Sequence, residues 1–298
     1  MGGDMTKRIL EICASFTGKI ETGQYQNASP FFSVKEVIDE GDFPMITDSE
    51  IMERQKQLHK MCVDQFNKAA EILYQEKVAK AYKQIRFYDA GDGLKVPSVT
   101  SIINMDADFF VSPDELAQYG ARGTVIHKQI ELFLKDGQWR EPKDIPEVAY
   151  EVMTVLKGTL GLSLEDVNFP AFYKDYPFLV IDQEKEVVNK EYKFGGRLDI
   201  LCTIPKVAGS KWDKIEGIQF DTPTILDVKT STTLDKVKGF SQQAAYSLCY
   251  PNVKQIGLIH LNKDNMCGYS KPVISNKLEA YQAIFLKQRQ LFADRYGV

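Results

Sequence analysis

The 298-residue chain lacks the features that would place it in several large classes. No apolar run approaches the roughly 20 residues that a membrane-crossing helix needs. Met1-Gly2-Gly3-Asp4 lacks the charged-then-apolar pattern of a secretory leader, so a cytoplasmic location is expected. The five cysteines (Cys13, Cys62, Cys202, Cys249, Cys267) are odd in number, scattered and never spaced C-x-x-C. A zinc site or an iron–sulfur cluster therefore has no ligand pattern, and reduced, mostly buried thiols are the expectation. There is no low-complexity tract, internal repeat or long linker, which suits one large domain or a core with an accessory module. Basic excess is missing too: 37 Lys and Arg face 41 Asp and Glu, for a net charge of −4. Net charge reports mainly solubility and steering, so a local basic groove remains compatible with it.

What is present falls into a readable order. Residues 13–38 alternate weakly (Phe16, Ile20, Tyr25, Phe31, Phe32), with turn signals at Thr22-Gly23 and Ser29-Pro30, which predicts a hairpin or two. Thr47-Asp48-Ser49-Glu50 has the form of a capping box. After it Ile51, Leu58, Met61, Cys62, Phe66, Ala69, Ala70, Ile72, Leu73, Val78 and Tyr82 recur at helical spacing, predicting one long helix that ends near Arg86. That pattern fits a coiled-coil arm and a helix lying across a core equally well. Next come an extended Ile85–Tyr88, a turn at Gly91-Asp92-Gly93 and a return through Val96–Thr100. Helices are expected over 123–135 and 147–160, and strands over 178–181, 185–189, 196–203 and 224–229. A helix over 236–250, a strand over 255–261 and a helix over 276–295 follow. This order predicts an α/β fold, a mixed central β-sheet flanked by helices over 85–298. Residues 1–84 form an accessory region of short strands and a long helix.

The chemistry concentrates in Ile225-Leu226-Asp227-Val228-Lys229-Thr230 and Gly195-Gly196-Arg197-Leu198-Asp199. On a strand, side chains two apart share a face, so Asp227 projects with Lys229 and Arg197 with Asp199. His127 and Glu131, four apart on a helix, also share a face, as do Gln242 and Tyr246. Two carboxylates on adjacent strands with a lysine beside one are the minimal kit for metal-assisted phosphodiester hydrolysis. Hard oxygen ligands suit Mg²⁺ or Mn²⁺, and a histidine tolerates the latter. Asp199 and Asp227 would hold the main ion, with the Val228 carbonyl as an additional ligand. Glu131 and His127 would complete that site or build a second. Lys229 would orient a water or neutralise charge on the transition state, and Gln242 and Tyr246 would position Lys229 or a DNA backbone.

Each signal also has a plain reading. A D-x-K triplet arises by chance, glycine before a strand is ordinary turn punctuation, and a lone histidine is more often bonded to a neighbour. His59 reads as solvent-facing or bridging and His260 as structural. Arg122, Lys128, Lys190, Lys193, Arg197, Lys236 and Lys238 suit either phosphate contacts or a solvated surface, and Arg197, on the face of Asp199, is the strongest of them. Phe87, Tyr88, Phe109 and Phe110 suit either base stacking or core packing.

Taken in order, G-x-x-x-H-x-x-x-E (123–131), G-R-L-D (196–199), L-D-V-K-T (226–230) and Q-x-x-x-Y (242–246) resemble the PD-(D/E)XK nuclease superfamily. Within it the match is to the RecB-like exonuclease branch. Val96–Thr100 followed by Arg122–Glu131 is similar to the mitochondrial genome maintenance exonucleases. The resemblance covers residues 85–295 and leaves 1–84 unmatched. It implies a restriction-endonuclease-like core and a Mg²⁺- or Mn²⁺-dependent DNA exonuclease acting on single strands or DNA ends. Recombination, repair or phage-type DNA processing would be its setting, with a recombination or annealing protein as a candidate partner. It assigns catalytic and metal roles to His127, Glu131, Asp199, Asp227 and Lys229, and the helper motif to Gln242 and Tyr246. Glu186 matches a glutamate that this branch carries on the strand before the G-x-x-D motif. Iron–sulfur members carry three clustered cysteines after the Q-x-x-x-Y helix; Cys249 and Cys267 stand alone, so no cluster is expected. A structure-specific endonuclease with the same active site, a non-catalytic DNA-binding subunit on a nuclease fold and an RNA nuclease are the alternatives.

Overall fold

The computed structural model describes residues 10–17, 20–23, 26–28, 31–38, 47–82, 85–106, 112–261 and 267–298, with side chains at 47–72 and from 85 onward. The chain divides into two compact units, residues 1–84 and 85–298.

In the first unit, β1 (Leu10–Thr17) pairs antiparallel with β4 (Phe31–Ile38), and β2 (Ile20–Gly23) pairs with β3 (Gln26–Ala28) between them in sequence. The helix α1 (Asp48–Tyr82) follows. Its start is a reciprocal cap: Glu50 N–H donates to Thr47 Oγ1 at 3.3 Å and Thr47 N–H donates to Glu50 Oε2 at 2.8 Å. Leu58 and Cys62, four apart, are buried, while Met61 and Ile72 are exposed, so the inward stripe is narrower than the spacing suggested. The helix stops short of Arg86 for a backbone reason. Arg86 accepts from Ser98 N–H at 2.8 Å and donates its own N–H to Ser101 Oγ at 3.2 Å, which commits it to the next hairpin.

The second unit is built on a five-stranded mixed sheet with flanking helices. It opens with a hairpin, β5 (Phe87–Asp89) against β6 (Lys95–Pro97), and a short helix α2 (Val99–Ile103). Helix α3 (Pro113–Asp136) starts ten residues before the expected Gly123. Gly120 and Gly123 weaken the helical pattern there, but Ser112 and Glu115 form a second capping box with Pro113 in the first turn. The helix ends at Gly137, whose φ of 75° suits glycine. The helix expected over 147–160 is shorter: 3₁₀ turns at Pro142–Asp144 and Pro146–Val148 lead into α4 (Ala149–Leu156). Then α5 (Phe169–Asp175) precedes the sheet.

The two strands expected at 178–181 and 185–189 are one, β7 (Leu179–Asn189). The polar residues between them continue the strand, with a register slip between Val180 and Asp182 and Glu184 at φ 48°. It pairs antiparallel with β8 (Phe194–Thr203), which pairs antiparallel with β9 (Pro223–Lys229). Helix α6 (Lys236–Ser247) then crosses over to β10 (Gln255–His260), parallel to β9, and β11 (Val273–Ser275) closes that edge before α7 (Leu278–Tyr296). The spatial order is β11-β10-β9-β8-β7.

Hydrophobic layers cover both faces. Ile225, Ile256, Leu258, Phe240, Ala244, Phe285 and Phe292 join one, which includes α6 and α7. Leu226, Val228, Ile259, Ile126, Ile130, Phe169, Phe172 and Trp212 join the other, which includes α3 and α5. Alternation along β9 thus puts Asp227 and Lys229 on the α6 face. Among the described residues no helix is long and apolar enough to cross a membrane.

Candidate metal centre

The centre forms where β8 and β9 part. Their paired register runs from Thr203 opposite Pro223 to Ile200 opposite Leu226 and goes no further. Beyond it the Val228 N–H has no partner on β8's backbone, and Asp199 Oδ2 accepts it at 2.8 Å. One carboxylate is thereby fixed across the opening, with its second oxygen turned toward α3. His127, carried by α3 between the buried Ile126 and Ile130, meets it there: Nδ1 lies 3.7 Å from Asp199 Oδ1.

Glu184 completes this group. It stands in the left-handed region on β7, and its Oε1 lies 3.5 Å from His127 Nδ1. One ligand atom from each of His127, Glu184 and Asp199 lies within 4.8 Å of the others. A cavity of about 10 Å³, close to the space one water or ion needs, is lined by these three with Glu131 and Gln183 and by the apolar Ile130, Leu134, Ile200 and Val228. Glu131 itself is bound by Lys128 Nζ at 2.9 Å, and its carbonyl accepts from Gln183 Nε2 at 3.1 Å, which ties α3 to β7.

Asp227 and Lys229 approach from the α6 face. Lys229 Nζ lies 2.7 Å from Asp227 Oδ2 and donates to Gln242 Oε1 at 3.0 Å; Gln242 Nε2 donates to Tyr246 Oη at 3.4 Å. Asp227 Oδ2 is buried and has no aligned hydrogen-bond donor, so the ammonium is its compensation. Tyr246 is buried over Gly196, where an added Cβ would lie 2.6 Å from its Cε1; Gly195 is covered in the same way by Tyr88. These glycines lie inside β8 and serve close approach, where the sequence had suggested turn punctuation.

Burial and neighbouring charge set the protonation states. Burial opposes a charged His127, but the charge of Asp199, then the hydrogen bond and charge of Glu184, push its pKa up to about 9. Burial raises the Asp227 carboxyl, with Lys229 pulling down and Asp199 adding to the rise. Burial likewise opposes a charged Lys229, yet Asp227 and Asp199 hold its pKa above the ordinary value. Burial pushes Tyr246 up, so it stays a neutral phenol.

The residues expected from sequence divide as follows. His127, Asp199, Asp227, Lys229, Gln242 and Tyr246 are joined by the contacts above, with Glu131 and Val228 on the small cavity's wall. Glu186 is exposed and pairs across the ladder with Arg197; the carboxylate beside His127 and Asp199 is Glu184. Its signal was faint, because an acidic residue in a polar strand centre looks like a turn. Arg197 is exposed, 3.9 Å from Glu184 Oε2. Arg122 is not free for phosphate: it is buried and donates to Ser163 O, Thr230 O and Asp166 Oδ1 at 2.7–2.8 Å. His260 is buried, 2.6 Å from the Ser231 carbonyl, as a structural residue would be. Phe109 and Phe110 lie outside the described residues.

Outside the His127–Glu184–Asp199 group opens a cleft of about 1060 Å³, with His127 and Glu184 among its lining residues. Arg86, Lys128 and Arg197 line it, against Asp89, Glu131, Glu147, Glu184 and Glu186. With His127 protonated, four cations face these five carboxylates, so the lining by itself offers a polyanion little attraction.

Neither a family model nor a curated protein matches this chain. Among solved structures it is similar to the crystal structure of SSO0001, at 12% identity, with 65% of this chain and 84% of that one covered and a TM-score of 0.25. A likeness this slight carries no argument.

Proposed function

We propose that this chain is a metal-dependent DNA nuclease of the PD-(D/E)XK type, an exonuclease of the RecB-like branch acting on single strands or DNA ends. In this reading the mixed sheet is a restriction-endonuclease-like core. One observation carries it: a His–Glu–Asp group of ion-binding geometry lies beside a buried Asp227–Lys229 pair, at the point where two adjacent strands separate.

The residues fit a small divalent cation. The donor set mixes one imidazole with two carboxylates, and a cavity of ion size adjoins it. Such a set suits Mn²⁺ and admits Mg²⁺. His127, Glu184 and Asp199 would hold the ion, with Asp227 and Glu131 beside it, and the ion would supply Lewis-acid polarisation of the scissile phosphate.

The chain's own groups do the rest. Asp199 is held in one orientation by the Val228 N–H, so no reorganisation is needed on binding. Lys229 keeps its proton at neutral pH, and therefore acts as a fixed cation facing the charge that builds on the phosphoryl oxygens, not as a base. Gln242, braced by Tyr246, holds the ammonium in place. His127 must release a proton from the ring nitrogen that faces the carboxylates before that nitrogen can serve as a ligand.

The test is digestion of 5′- and 3′-labelled linear strands, duplexes and circular single strands with Mg²⁺, Mn²⁺ or chelator. Linear strands shorten from an end only with metal, and circles resist. Efficient cutting of circles would replace the exonuclease with an endonuclease on the same site.

A further inference from the structure

The cleft-facing side of β8 carries three positions in a row, Gly195, Arg197 and Asp199, each two residues apart and so on one face. Asp199 belongs to the ion group and Arg197 is an exposed guanidinium on the cleft. Gly195 is covered by Tyr88: a Cβ there would lie 2.6 Å from Tyr88 Cβ and 2.8 Å from its Cγ. The absence of a side chain at 195 thus lets the tyrosine lie against the strand backbone. Tyr88 is also held from the other side, because it pairs with Val96 in the β5–β6 hairpin, and Ser98 bridges to Gly195. It is half-buried and lines the cleft together with Phe87 and Arg86.

Four residues of strand separate Gly195 from Asp199, about 13 Å. A rigid aromatic, a cation and an ion-binding carboxylate therefore stand in line along the cleft. We propose that Tyr88 is a substrate-binding residue that stacks on a nucleobase of an unpaired DNA strand whose neighbouring phosphate lies against Arg197. This rests on the nuclease reading and adds to it the reason for strand selection. In a duplex the base faces are covered by their neighbours, whereas an unpaired strand offers them to an aromatic side chain. The acidic lining strengthens the point, since phosphate attraction alone is weak in this cleft.

Tyr88→Ala, Tyr88→Phe and Tyr88→Trp test the proposal with two substrates: a single-stranded oligothymidylate, and the same oligonucleotide with abasic sites near the digested end. Tyr88→Ala raises KM for the base-bearing strand roughly 5- to 150-fold, the span of one base–aromatic stack, with a smaller change in kcat. On the abasic strand the variant and the unaltered protein have equal KM, and the Phe and Trp variants restore binding of the base-bearing strand. An equal loss on both substrates, or no loss on either, overturns the proposal by making Tyr88 structural or idle; thermal melting of each variant shows whether folding is the cause. Failure of the unaltered protein to hydrolyse any oligonucleotide with Mg²⁺ or Mn²⁺ removes instead the nuclease reading beneath it.

Discussion

Gly196→Ala is the smallest change that reaches the centre without touching a charged group. The added Cβ would lie 2.6 Å from Tyr246 Cε1 and 2.7 Å from its hydroxyl, so the ring must retreat about 0.8 Å to reach an ordinary 3.4 Å contact. It has little room, because Tyr246 is 2% exposed and packed in the layer with Leu198, Phe194 and Ala245. Overpacking of this kind costs about 1–3 kcal/mol of folding stability. The retreat also lengthens the 3.4 Å bond from Gln242, which holds Lys229. A shift near 1 Å in a positioned cation lowers kcat by roughly a hundredfold. Urea denaturation reads the first effect and single-turnover hydrolysis the second. Combined with Tyr246→Ala, which empties the space, the alanine at 196 should cost under about 0.5 kcal/mol further, so the pair is non-additive. Additive losses in the double variant would refute the steric reasoning.

Other expectations follow from the same geometry. In the metal-free protein His127 has a folded pKa of about 9 against 6.5 unfolded. Its contribution to stability, on the order of 3 kcal/mol, is complete below about pH 6.5 and is lost as pH rises through 9, whereas His127→Ala flattens that dependence in denaturation curves. Mn²⁺ binding displaces that proton, so calorimetry in buffers of different ionisation heat should find about one proton released per ion near pH 7.5, and affinity rising with pH. Glu184→Gln should weaken Mn²⁺ binding by about tenfold or more, while Glu186→Gln leaves it within about twofold, measured by the same titration. Arg122→Ala removes a buried guanidinium and its three hydrogen bonds to Asp166 and the Ser163 and Thr230 carbonyls and should destabilise by roughly 3 kcal/mol in urea, against under about 0.5 kcal/mol for exposed Lys190→Ala.

Local spacing carries far in this chain, and long-range geometry explains where it stops. The sheet strands at Gly196–Thr203, Thr224–Lys229 and Gln255–Leu261 are visible because buried strands read as apolar runs broken by single polar residues. Asp199, Asp227 and Lys229 could be singled out because side chains two apart on a strand share a face, and His127 because it stands four residues from Glu131 on a helix. Glu184 was hidden: its position depends on a left-handed residue inside a strand, and neither composition nor period announces that. The start of α3 was obscured by Gly120 and Gly123, although Ser112 and Glu115 carried the capping signal. Arg122 suited either a phosphate contact or a solvated surface, since only the fold brings the carbonyls of Ser163 and Thr230 to it. Gly195 and Gly196 lay in plain view, but the aromatic rings they admit come from residues 88 and 246.

The decisive measurement on the metal centre is hydrolysis of an end-labelled single-stranded oligonucleotide by the unaltered protein, Asp199→Ala and Asp227→Ala, with Mn²⁺ and with chelator. The unaltered protein should shorten the strand only with Mn²⁺, and each variant should lose at least a hundredfold in rate while melting as the unaltered protein does. Hydrolysis that survives both substitutions or the chelator would contradict a metal-dependent reaction at these carboxylates.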